Sequence, residues 1–139
     1  ATVLVFAREA HRLIGLIPEV VAGVSGPRII TVFLTATIEA FDEHPMLAKM
    51  LRDEPDVVGR FATGQLDALL EQTVALVVPL LEAAMGAGII RRQDPKLLAG
   101  WVVRIAVGCV LVPPPGELLD ALDALLLPVL DPAFDPTAR

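Results

Sequence analysis

The sequence predicts an all-α domain built from six helices. Three observations carry that expectation. Apolar residues recur at spacings of three and four over stretch after stretch, and no segment alternates with period two for long enough to need a strand. Leu, Val and Ala dominate, with one Trp and no Tyr among 139 residues. Pro and Gly fall between the periodic stretches rather than scattering through them. A chain of this length can bury a core of its own. Its 55% hydrophobic and 20% charged content excludes disorder.

The elements follow in order. Residues 2–17 form a first helix, with Val5, Ala10, Leu13 and Ile17 inward and Arg8, Glu9 and Arg12 as a polar patch. Pro18 ends or kinks it, and the GVSGP run at 23–27 is a loop. Pro27 suits the first turn of a second helix running to Glu43. The pair His44-Pro45 stops it, because a residue before proline avoids the helical region. A short third helix covers 45–52. The fourth covers 56–87; Gly59 and Gly64 are potential interruptions, and Pro79 predicts a bend. Asp94-Pro95 opens the fifth, aspartate capping the free amides and proline taking the first helical position. Three prolines and a glycine at 113–116 stop that helix. A sixth spans 117–130. Residues 1–131 are read as one domain and 132–139 as a tail.

Net charge is −6 and the sequence pI about 4.8. That excludes this chain as the surface that grips nucleic acid, whose phosphates require a basic face. No uncharged stretch reaches the roughly 20 residues of a bilayer span, since Glu82 and Arg104 split the longest two. No membrane role and a cytoplasmic location are therefore expected. Residues 1–17 carry four titratable side chains in their middle, which no signal-peptide core contains. A lone cysteine, Cys109, builds neither a disulfide nor a zinc site. His11 and His44 lack partners at metal-ligand spacing. Ser25, the only serine, lies in a loop. The GAG at 86–88 ends a helix instead of starting one, so it is no phosphate loop. The carboxylates Asp53, Glu54 and Asp56 cluster at a helix start, where the dipole favours them. No catalytic residue, metal or cofactor is expected, and the chain is not read as an enzyme.

The stretch 97–112 stands apart. It is apolar on nearly every side, with Arg104 its one charge, and such a helix is covered on more than one side. At 100° per residue Gly100, Arg104 and Gly108 share a stripe, and the glycines let another backbone approach. One face is expected on its own core and another on a second molecule or a ligand. Arg104 is expected to pair with Glu117, Asp120 or Asp123 or to hydrogen-bond to backbone; the alternatives are a grip on an acidic ligand head or plain exposure at the domain edge. In the last helix Leu118, Leu119, Leu122, Leu125, Leu126 and Val129 make one wide apolar stripe, with Asp120 and Asp123 at its edge.

The run LLEAAMGAGIIRRQDPKLLAGW at 80–101, followed by VVRIAVGCVLVPPPGE, resembles the effector domain of TetR-type transcriptional regulators of actinobacterial type. A long helix ends at Ala87-Gly88, Asp94-Pro95 follows, then a W-x-x-R core at 101–104 and a Pro-rich turn. The breaks at His44-Pro45 and Glu54-Pro55 match as well. The resemblance covers about residues 2–130 and rests on the order of these motifs, each weak alone. It implies an effector-sensing and dimerising domain of a repressor, with a DNA-binding head preceding it outside this chain. It also implies that the last two helices form a four-helix bundle with those of a second subunit. Combined with helical facing, it places a small apolar ligand, acyl or aromatic, among Phe33, Thr37, Met50, Phe61, Gln65, Leu69, Thr73 and Trp101. The homodimer contact falls on Gly100, Arg104, Gly108, Leu118, Leu122, Leu125 and Leu126. The competing expectation is a free-standing helical adaptor or small-molecule carrier without DNA binding.

Overall fold

The computed structural model describes residues 2–134 and 137, with the side chains at 2, 3, 51, 57, 58, 61 and 62 outside that description. The described residues are helical or in turns, with no strand among them, so the all-α expectation holds. Eight helical segments follow in order: α1 Thr2–Gly15, α2 Ile17–Val20, α3 Arg28–Glu43, α4 Pro45–Asp53, α5 Pro55–Gly64, α6 Leu66–Gly86, α7 Pro95–Leu111 and α8 Leu118–Leu130. Two of the six expected helices are divided. The first breaks at Leu16, leaving α2 as a single turn with Pro18 in it. The fourth breaks at Gln65, whose backbone (φ −123, ψ −12) leaves the helical region just after Gly64. Pro79 lies within α6.

The remaining boundaries obey the local chemistry. His44 is extended before Pro45, and its Nδ1 accepts from the Leu47 amide at 3.5 Å, capping α4. Asp94 accepts from the amides of Lys96 (3.0 Å) and Leu97 (3.4 Å), so Asp94-Pro95 starts α7 as expected. At the end of α6, Gly88 takes a left-handed φ of 74° that lets Ile89 N–H reach back to the Ala84 carbonyl. The chain then turns past Ile90, 1% exposed, into a clasp on α8. Arg91 N–H donates to the Leu130 carbonyl at 2.8 Å, and Arg91 Nε and Gln93 Nε2 both donate to Val129 at 3.2 Å. These bonds satisfy carbonyls that a helix end otherwise leaves free.

α3 occupies the centre, packing on α7 and on α8. Ile38 is wholly buried there, and Leu34 and Phe41 lie beside it. One polar tie joins α3 to α8. Thr31, fully buried, donates to Asp123 Oδ1 at 2.6 Å, and Arg28 Nε lies 3.3 Å from Asp123 Oδ2. Ile38→Ala leaves a cavity at this centre and should lower unfolding free energy by about 2–5 kcal/mol. Thr31→Val removes a donor from a half-buried carboxylate and should cost about 1–3 kcal/mol. Urea unfolding followed by circular dichroism checks both.

Candidate ligand cavity

A cavity of about 470 Å³ lies between α1, α2, α3, α6 and α7. Its wall on α6 is a helical stripe of Leu69, Thr73, Val77, Leu80, Leu81 and Ala84. α3 contributes Ile30, Phe33, Leu34, Thr37 and Phe41, and α7 contributes Val102, Val103, Ala106, Val107 and Val110. α1 adds Phe6 and Ala10, and α2 adds Ile17. The space follows from the sequence: Ala10, Ala84 and Ala106 stand where larger side chains would meet. The Phe6 ring stacks on Phe41, with centroids 5.3 Å apart, and so ties α1 to α3. Thr37 Oγ1 donates to the Phe33 carbonyl (2.8 Å) and Thr73 Oγ1 to the Leu69 carbonyl (2.7 Å). Such a wall offers water few partners and suits an apolar guest.

Four of the eight expected ligand residues, Phe33, Thr37, Leu69 and Thr73, line this cavity. The Phe61 side chain lies outside the described residues. Met50 is half-buried on α4 away from the lining, and Gln65 is exposed at the break before α6. Trp101 is turned outward and 62% exposed. Sequence reasoning missed α1, α2 and the inner face of α7. The α7 signal was present, since Val102, Val103, Ala106 and Val110 recur at helical spacing away from Trp101.

That outward face of α7 is the second feature. Leu98, Ala99, Val102, Val103 and Val110 are buried, whereas Leu97, Trp101, Arg104, Gly108 and Val112 are exposed. On α8, Leu125 is 67% exposed and Val129 is exposed beside it. Leu122 and Leu126 instead face the domain's own core, and Leu118 is half-buried against it. Of the contacts expected for Arg104, the structure shows the backbone hydrogen bond and none of the three ion pairs. The Arg104 Nη1 donates to the Gly100 carbonyl at 3.0 Å, so the guanidinium lies along its own helix and covers Gly100. Asp123, one candidate partner, is held by Arg28 and Thr31.

α6 is long and apolar enough to cross a membrane by length and composition, contrary to the expectation that no stretch would reach that threshold. Its outward positions carry Glu71, Gln72, Ala75, Pro79 and Glu82, and its apolar side faces the cavity.

Two titrating groups flank these features. Glu9, buried beside the cavity residue Ala10, accepts from Arg12 Nε at 3.0 Å. That bond holds its carboxyl below the ordinary value against the opposing effect of burial, with the Arg12 and His44 charges assisting. Burial, and then the charge of Asp42, push the Cys109 thiol upward. No protein-family model, no curated protein and no solved structure matches this chain.

A raised thiol pKa means less thiolate, so Cys109 should react with a disulfide reagent at pH 7.5 more slowly than a free thiol, reaching the free rate in urea. Glu9 has a depressed folded-state pKa. Its stabilising contribution is complete above about pH 4.5 and lost as pH falls through the lower folded value. Glu9→Gln should therefore flatten the acid limb of the stability profile, measured by thermal melts between pH 3 and pH 6.

Proposed function

We propose that this chain is the effector-sensing and dimerising domain of a TetR-like transcriptional regulator, a repressor that acts in the cytoplasm. A small apolar ligand occupies the cavity, and two copies pair through the outward faces of α7 and α8. One conjunction supports this reading: an apolar cavity walled in part by α1, in a domain whose α7 and α8 present bare apolar side chains. A guest in the cavity touches Phe6 and Ala10, so its binding energy depends on where α1 lies. A ligand biases a conformation only through such differential contact. A DNA-binding head joined ahead of α1 would be repositioned by the same shift. At a net charge of −6 the chain offers phosphates no basic face, so DNA contact is assigned to that head.

The pairing is assigned to Leu97, Trp101, Gly108, Val112, Leu125 and Val129, with Arg104 at its edge. Trp is the residue type most enriched among interface anchors, and a stable interface buries about 1,200 Å² or more in total. Sedimentation equilibrium at micromolar concentration is expected to give a dimer. Trp101→Glu and Leu125→Glu should each shift it to monomer with helix content unchanged. A wild-type chain that stays monomeric ends the dimer assignment. The reading frame upstream of Ala1 tests the head: a basic three-helix segment there supports the regulator, and its absence favours a free-standing carrier.

A further inference from the structure

We infer that the cavity takes an elongated, uncharged hydrocarbon bearing at most a hydroxyl, such as a long-chain or isoprenoid alcohol, and rejects the ionised fatty acid of the same length. This rests on the ligand-sensing reading above and narrows its ligand class.

The first argument is chemical. Among the described lining residues the only polar side chains are Thr37 and Thr73. Each hydroxyl proton is already committed to a carbonyl one turn back on its own helix. What remains on each Oγ1 is acceptor capacity. The wall can accept a hydrogen bond from a neutral hydroxyl but has no side-chain donor to give a carboxylate. A carboxylate drawn in would lose its hydration without replacement, a penalty far larger than that for a hydroxyl that finds one partner.

The charged residues adjoining the lining in sequence do not remedy this. Arg28, next to Ile29, is paired with Asp123. Arg91, two residues after Ile89, donates to the Val129 carbonyl and lies over the Phe134 ring, 5.3 Å from its centroid. Arg104, next to Val103, is exposed and lies along its own helix on the Gly100 carbonyl, and His11, next to Ala10, is exposed. Glu9, Asp42 and Glu82, next to Ala10, Phe41 and Ala83, are carboxylates themselves.

The second argument is shape. On α6 the lining runs from Leu69 to Ala84, about 22 Å at 1.5 Å per residue, and on α3 from Ile29 to Phe41, about 18 Å. A cavity drawn out along two helices fits a long guest better than a compact ring. Ala83 and Ala87 are exposed and mark where it meets solvent.

The test uses the 139-residue chain after delipidation, with displacement of a neutral naphthylamine fluorophore as readout. At pH 8, 1-tetradecanol should compete at least about tenfold more tightly than tetradecanoate. Tetradecanoate should gain as pH falls and the acid protonates, while the alcohol stays flat. Ala84→Phe and Ala106→Phe, made separately and checked for helix content, should abolish binding; Ala84→Leu, a milder filling, should weaken it. The double change Thr37→Val with Thr73→Val should reduce affinity for tetradecanol and leave that for tetradecane unchanged. If no neutral probe binds, the ligand-sensing reading itself fails. If neutral probes bind but tetradecanoate matches tetradecanol at pH 8, that reading stands and the present inference is overturned. Binding that survives a folded Ala84→Phe variant also overturns it, because the site is then elsewhere.

Discussion

The position of α3 is the constraint on which the rest of the structure depends. Packed on α7 and on α8, this helix buries Leu34, Ile38 and Phe41 along one stripe, with Thr31 and Thr35 beside them. The flank carrying Phe33 and Thr37 faces the cavity, and Leu34 and Phe41 reach it too. One helix thus holds the core together and also forms a wall of the empty space. The polar tie from Thr31 and Arg28 to Asp123 fixes how α8 lies on it. Non-directional burial gives α8 affinity for α3, whereas this hydrogen-bonded carboxylate gives it a register.

The cavity exists because burial and filling are separate requirements. Leu, Val and Ile on α3, α6 and α7 remove themselves from water by facing one another. Alanines at 10, 84 and 106 leave the centre unfilled. An unfilled apolar interior forfeits dispersion contacts that a packed one would gain. A guest restores those contacts, which is how such a space acquires affinity without polar anchors.

Most of the fold was legible in the sequence because its boundaries are punctuated. His44-Pro45, Asp94-Pro95 and the proline run at 113–115 each remove or supply a specific backbone hydrogen bond, and the elements end where those residues stand. The break at Gln65 was harder to read, since Gly64 is merely permissive and the apolar pattern continues across it. Half of the expected ligand residues line the cavity because helical facing identifies the inward side of α3 and α6. The Phe61 side chain lies outside the described residues, and Met50, Gln65 and Trp101 fall away from the lining. Helical facing and the family resemblance place Trp101 at the ligand, yet its side of α7 is the one its own domain leaves open. Gln65 stands exposed at the interruption for which Gly64 was a candidate. Leu122 and Leu126 share a stripe with Leu125, and periodicity cannot say how much of a wide stripe one neighbour, α3, will cover. Of the partners open to Arg104, the backbone one is realised: its guanidinium donates to a carbonyl one turn back and leaves Glu117, Asp120 and Asp123 alone.

The clasp formed by Arg91 and Gln93 has a mechanical consequence. Ile89, at one end of the hollow, is two residues from Arg91, whose main chain and side chain grip the last carbonyls of α8. The terminal helix is therefore anchored to the rim of the hollow and not hung from a slack loop. A displacement of that rim thus reaches the helix carrying Leu125 through three hydrogen bonds from Arg91 and Gln93, which join the interior to the outer flank.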